Sequence, residues 1–256
     1  RIRGFESMAP EFVARTGGSN RLSALPTRWD KNVKNRTEGF TEGKIRGTIV
    51  VIERNVIGQM KGIAVFGASS STLDACHYDA ARGLGALIAK NDYRLVFGGG
   101  DTGVMGAAAR GTHEAGGFVF GVIPEALNLP GIAYPGCDEL IVTRDLRDRM
   151  AVMAENSDAF VIATGGLGTL YELFEVLTLN QLRYVDKPVV LLNVNGYYDR
   201  LLDQFEVMYE SRCAREKCRQ MYFVAASAQQ AIDHILAWQP KALSGWMTDV
   251  PEGQVK

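Results

Sequence analysis

The chain has 256 residues, 46% hydrophobic and 22% charged, with a formal net charge of -1, which suits one large or two small domains of ordinary globular composition. So balanced a charge makes no case for nucleic acid or an anionic membrane as a partner, and no run approaches the roughly 18 apolar residues of a membrane span. The four cysteines, Cys76, Cys137, Cys213 and Cys218, form no CxxC pair and do not cluster with histidines, which argues against a disulfide scaffold or a zinc site and for a reducing, cytoplasmic setting.

Residues 1–59 differ in character from the rest of the chain. They hold eight Arg, three Lys and six acids, a net of +5 against -6 for the remainder. Gly17-Gly18-Ser19-Asn20 and the stretch from Asn35 to Gly43 read as loops. Only "TIVVIE", Thr48 to Glu53, has the character of a strand. Met60 reads as a natural start, so 1–59 is expected to be an irregular N-terminal extension, a leader or an appended segment. Six acids speak against a mitochondrial transit peptide.

From Lys61 the pattern becomes regular. The first apolar run, Ile63 to Phe66, leads through "FGASSSTLD" into a helix-length segment from Leu73 to Lys90. Ser71 with Asp74 fits a capping box. Ser69 and Ser70 offer hydroxyls to a phosphate or a ribose. The second run, Arg94 to Phe97, ends in "GGGDTGVMG" and a helix from Gly103 to Glu114. Gly98, Gly100 and Gly103 satisfy GxGxxG between a strand and a helix, the setting of a dinucleotide fingerprint. The match follows the second strand of the repeat, no acid closes the next strand, and no substrate domain comes after it. A dehydrogenase therefore ranks third among the functional readings. The physical content survives: glycines such as Gly99 and Gly100 bring backbone N–H groups close to an anion at a helix N-terminus. Close packing of helix on strand also explains some of these glycines.

Further runs occur at Phe118 to Ile123, Leu140 to Thr143, Ala159 to Ala163, Val189 to Leu192 and Met221 to Val224. Helices are expected from Leu146 to Asn156, Thr169 to Leu182, Tyr197 to Glu210 and Ser227 to Trp238. Arg147 and Arg149 fall at the start of the first of these. In "VIATGGLGTLYELFEV", Gly165, Gly166 and Gly168 precede a helix whose Thr169 and Glu172 also fit a capping box. Spacing assigns Leu170, Leu173, Phe174 and Leu177 to its buried face, with Glu172 and Glu175 together on another. A cap accounts for Thr169 and Glu172. A phosphate cradle accounts for the glycines and Thr169 and leaves a carboxylate one turn from the anion. Short strands apolar on both faces, alternating with helices, predict an α/β fold: a doubly wound, Rossmann-like parallel sheet with helices on both faces, over residues 60–238. Residues 239–256 read as a tail. Ligands of such sheets bind beyond the carboxyl ends of the strands.

These residues resemble a known family. "GGLGTLYE" is similar to the PGGxGTxxE motif of the Lonely Guy family, and "VFGASSS", "LVFGGGDTGVMGAAARG", "GVIPEAL", "ELFEVLTLNQL" and "KPVVLLNVNGYYDRLL" extend the likeness from about Lys61 to Trp238. The resemblance implies hydrolysis of the N-glycosidic bond of a purine nucleoside 5'-monophosphate, either AMP or a cytokinin-type nucleotide. The products are free base and ribose 5-phosphate, made without metal or redox cofactor. It implies a small-molecule nucleotide as partner, a homodimer or higher homo-oligomer with the site near the subunit interface, and catalysis by Arg149 and Glu172. Gly165, Gly166, Gly168 and Thr169 match the family's phosphate loop. Relatives of this fold that carry molybdenum cofactor supply a non-catalytic alternative. The chain departs from the motif in having Ala163-Thr164 where Leu-Pro is usual, and Leu146-Arg147-Asp148-Arg149-Met150 where the family has MHERK. Leu179 stands in place of Trp, and Ala68 in place of the first-strand glycine.

Overall fold

The computed structural model describes residues 60–240. The expected irregular extension, the "TIVVIE" strand and all but the first residues of the tail lie outside the described residues. Seven strands form one sheet: β1 Gly62–Phe66, β2 Arg94–Phe97, β3 Val119–Pro124, β4 Glu139–Thr143, β5 Ala159–Ile162, β6 Val189–Leu192 and β7 Phe223–Ala225. All pairings are parallel, in the order β4-β3-β2-β1-β5-β6-β7. Between them run α1 Ala75–Lys90, α2 Gly103–Glu114, α3 Leu146–Glu155, α4 Leu167–Gln181 and α5 Asp199–Glu210, and α6 Ala228–Ala237 closes the described chain.

Both sheet faces are covered, so the central strands are buried at every position and carry apolar residues throughout. Ile63 and Val65 of β1 point into one core with Leu84 and Ile88 of α1, Ala108 of α2 and Ile232 of α6. Ala64 and Phe66 point into the other, with Met150 and Met153 of α3, Leu173 and Val176 of α4 and Phe205 of α5. The chain leaves β1 for β2 on one side and returns to β5 on the other. The order therefore reverses between β1 and β5, and that reversal opens a crevice at the carboxyl edge of a doubly wound sheet.

The expected doubly wound α/β sheet is the one observed, and the differences lie at element ends. α1 starts at Ala75 with Asp74 as its N-cap, and no side chain caps it, so the Ser71–Asp74 capping box does not form. α4 starts at Leu167 with Gly166 as its N-cap, again without a side-chain cap. Thr169 is therefore inside the first turn and the Thr169–Glu172 capping box is also corrected. α5 begins two residues later than expected, after a 3-10 turn at Val194–Gly196. Met221 ends a 3-10 helix, Glu216–Met221, instead of opening β7.

Candidate active site

Three turns meet at the reversal. The turn after β1 is bonded to the turn after β5, Ala68 N–H donating to the Thr164 carbonyl at 2.9 Å. It is bonded also to the start of α2, where Val104 N–H donates to the Ala68 carbonyl at 2.8 Å and the Thr102 hydroxyl to the Ser69 carbonyl at 2.7 Å. Gly103 is required by this junction: its φ is +69°, and a Cβ there would collide with the Ala68 carbonyl. Close packing thus accounts for Gly103. Gly99 has φ +75° and packs against Ile123. Its carbonyl accepts from Tyr134 N–H at 2.8 Å, and Asp101 N–H donates to the Ile132 carbonyl at 2.9 Å, so the segment after β3 braces the glycine run. That segment is held in turn by His113 of α2, whose Nδ1 is 2.8 Å from the Tyr134 hydroxyl and whose Nε2 is 3.0 Å from Asp138.

The side chains of Ser69 and Ser70 are exposed at the crevice rim. Ser70 Oγ lies 3.0 Å from Thr72 Oγ1, which organises the turn locally. Across the reversal, Gly165, Gly166 and Gly168 play unlike parts. A Cβ on Gly165 would collide with the Thr169 side chain, which is buried and folded back beneath the turn. A Cβ on Gly166 or Gly168 would meet nothing within 4 Å. Space over the last two glycines is open, at a helix N-terminus whose first backbone N–H groups have no partner within the helix.

Arg149 and Glu172 come together from different helices. Asp145 caps α3, its side chain accepting from the backbone N–H groups of Arg147 and Asp148 at 2.8 and 2.9 Å. That cap fixes the register that turns Arg149 inward and leaves Arg147 exposed. The guanidinium lies over Gly98 at the end of β2, where a Cβ would come within 3.3 Å of Nη1. Its Nη2 donates to Glu172 Oε1 at 2.6 Å. Arg149 is 9% exposed and Glu172 5%. Arg149 Nε is buried with no hydrogen-bond partner among the described residues, leaving a donor unused at the site. Burial pushes the Glu172 carboxyl up to about 7. Arg149 pulls the other way and Glu175 adds to the rise.

Glu172 lies on the buried face of α4 and not on a separate one, and Glu175 is half-buried. α4 buries Thr169, Glu172, Leu173, Val176, Leu177 and Asn180, while Phe174 is exposed and Leu170 half-buried. Sequence reasoning also missed the tyrosine pair after β6. The Tyr198 hydroxyl donates to the Ala163 carbonyl and the Tyr197 hydroxyl to the Gly165 carbonyl, both at 2.7 Å, so they pin the strand end and the glycine turn. Their signal was "NVNGYYD", which lies just past a strand end on the ligand edge.

This arrangement can receive a phosphorylated ligand and set a carboxyl that changes charge near neutrality beside an arginine. Comparison with known proteins agrees in kind. The family model described as "possible lysine decarboxylase" matches residues 105–235. A cytokinin riboside 5'-monophosphate phosphoribohydrolase of Arabidopsis thaliana is 38% identical over 185 residues, 72% of this chain and 81% of that protein. One of Rhodococcoides fascians is 43% identical over 147 residues, 57% of this chain and 74% of that protein. Among solved structures, the molybdenum cofactor binding protein of Rippkaea orientalis superposes with a TM-score of 0.55 at 28% identity, covering 70% of this chain and 97% of that one.

Proposed function

The chain belongs to the Lonely Guy family of phosphoribohydrolases, and on that premise we propose that it hydrolyses the N-glycosidic bond of a purine nucleoside 5'-monophosphate, through Arg149 and Glu172. The observation that carries the assignment of residues is the buried 2.6 Å pair of Arg149 and Glu172 at the strand ends. Water adds to C1' of the ribose as the bond to the base nitrogen breaks. The electron pair leaves with the base, which gains a proton, and ribose 5-phosphate remains. Positive charge grows on the ribose as this bond breaks. Glu172 in its ionised form stabilises that charge, holds the ribose hydroxyls or takes a proton from the attacking water. Arg149 keeps its charge throughout and suits the phosphate or the ribose. The open N-terminus of α4 at Gly166–Gly168 receives the phosphate, while Ser69 and Ser70 line the opposite rim. Holding the phosphate at a distance from C1' supplies binding energy that positions the reacting carbon.

Turnover of AMP, adenosine and ATP measured side by side tests this reading. AMP is expected to be cleaved to adenine, adenosine to be poor for want of a phosphate, and ATP to be poor because one helix N-terminus has partners for one phosphate and not for three. Isopentenyl-adenosine monophosphate is the next candidate, since Leu179 stands where the family has Trp. Equal rates on adenosine and AMP would overturn the phosphate cradle.

The likeness to a molybdenum cofactor binding protein favours a second reading, that of a carrier. A carrier need not keep the pair of Arg149 and Glu172, and binding without release of base would select the carrier. The reading includes a homodimer. Leu146 of α3 and Leu167 and Tyr171 of α4, exposed by 48%, 87% and 43%, leave apolar surface on the two helices that carry the pair, which a second copy would cover. Sedimentation of the chain as a monomer would remove that part.

A further inference from the structure

The third turn is held by a histidine that the proposed chemistry does not use. Thr164 lies two residues past the end of β5 and immediately precedes Gly165. It is 2% exposed, and a hydroxyl so buried needs a partner. Thr164 Oγ1 lies 2.8 Å from His77 Nδ1, across 87 residues of sequence. His77 sits in the first turn of α1 and is itself fixed from two sides. Its ring meets the edge of Tyr197, with centroids 5.8 Å apart at 72°. Next to it, Asn195 Nδ2 donates to Cys76 Sγ at 3.2 Å. Tyr197, which packs on His77, also donates to the Gly165 carbonyl. The imidazole therefore joins α1, the turn after β6 and the glycine turn in one connected set.

Position 164 is also where this chain departs from the family motif, which has proline there. Proline stiffens the entry to the glycine turn by locking its own φ. Threonine leaves φ free, so the stiffness has to come from a contact. We propose that His77 is a positioning residue for the phosphate turn, and that through Thr164 it holds Ala163–Gly168 in the form that receives the nucleotide's phosphate. The proposal rests on the reading of this turn as the phosphate's seat. His77 neither touches the reacting atoms nor supplies charge to them. It acts before the chemistry, by making the cradle rigid in advance of binding.

The test is a double-mutant cycle on the full chain, read as the affinity for ribose 5-phosphate by calorimetry and as KM and kcat for AMP. His77→Phe and Thr164→Val are each expected to weaken ribose 5-phosphate binding about five- to tenfold, the scale of one lost buried hydrogen bond. Together they should weaken it no more than either alone, because both cut the same link. kcat/KM for AMP falls in step while the acid limb of its pH profile keeps its midpoint, since Arg149 and Glu172 are untouched. His77→Asn, whose amide falls near the Nδ1 position, restores affinity. Thr164→Pro makes His77→Phe silent. Should His77→Phe fail to fold, Thr164→Val and His77→Asn still test the link. Two effects that multiply, or two variants that bind as the native chain does, overturn the proposal. So does a native chain that binds no ribose 5-phosphate. A native chain that binds it but hydrolyses no nucleotide defeats the functional reading alone, and the cycle still judges His77.

Discussion

Replacing Glu172 by Gln tests the site most sharply, because the substitution keeps shape and hydrogen bonding while removing a charge. The amide oxygen can still accept from Arg149 Nη2, so α4 keeps its place. The carboxylate's work on the ribose is lost, and a positioned acid or base of this kind is worth on the order of 10²- to 10⁴-fold in rate. The native profile carries its own signature. Burial raises the Glu172 carboxyl from 4.5 to about 7, and the proposed reaction needs it ionised. kcat/KM should therefore climb with pH and level off above about 8, standing about tenfold lower at about pH 6, because that constant reports the free enzyme. The substrate phosphate titrates near pH ~6, and the residual rate of Glu172→Gln isolates that contribution. Stability moves oppositely. A carboxyl raised in the folded state contributes stability that is fully present below 4.5 and lost as pH rises through about 7. The shift is on the order of 3 kcal/mol, partly offset in the variant by a weaker bond to Arg149. Melting of Glu172→Gln should thus vary less with pH across that window than melting of the native chain. A folded Glu172→Gln protein with normal turnover, or a native acid limb centred near 4.5, would refute the reasoning.

Arg149→Ala should lower hydrolysis by about 10²-fold or more, the scale of a lost charged donor at a reacting centre. It should move any residual acid limb to higher pH, since Arg149 is what draws the Glu172 carboxyl down. Arg147→Ala, exposed on the same helix, should stay within about threefold of the native rate; the two are compared in one pH series. Gly165→Ala and Gly103→Ala should each destabilise by at least about 2 kcal/mol in denaturant melts, the first through collision with Thr169 and the second through a strained backbone. Gly166→Ala and Gly168→Ala meet open space and should melt within about 1 kcal/mol of the native chain. Their KM for AMP should nevertheless rise, because a methyl group there would occupy the approach proposed for the phosphate. Residues 60–256 expressed alone should hydrolyse AMP at the native rate, since β1, β2, β5, α3 and α4, which carry the proposed site residues, all lie among the described residues.

Most of the sheet was legible because burial on both faces leaves a strand no choice but a short apolar run. β1, β2, β5 and β6 fall within a residue of the runs that announced them. Helix starts were less legible. Ser71–Asp74 and Thr169–Glu172 have the spacing of capping boxes, but both segments are held by contacts far away in sequence. The turn after β1 is pinned to Thr102 and Val104, and Thr169 is drawn under Gly165. Glycine at 166 then lets α4 begin early, which leaves Leu167 with 87% exposure at its first position. Local pattern cannot see such anchors, and for the same reason His77 gave no sign of meeting Thr164.

α4 also shows why a hydrophobic stripe can be misread where a site is built. Period alone chose Leu170, Leu173, Phe174 and Leu177 as the inner face. The helix instead buries Thr169, Glu172 and Asn180 beside Leu173, Val176 and Leu177, turning Phe174 and Tyr171 outward. Three polar residues on a buried face would be a heavy cost if unsatisfied. Thr169 packs against the Gly165 backbone, Glu172 meets Arg149, and Asn180 donates to the Lys187 carbonyl and accepts from its N–H. Asn180 ties the far end of α4 to the entry of β6 and so fixes the roll of the whole helix. That roll is what carries Glu172 to Arg149. A reading by hydrophobicity leaves these three positions off the buried face, and so it misses the roll that brings Glu172 to Arg149.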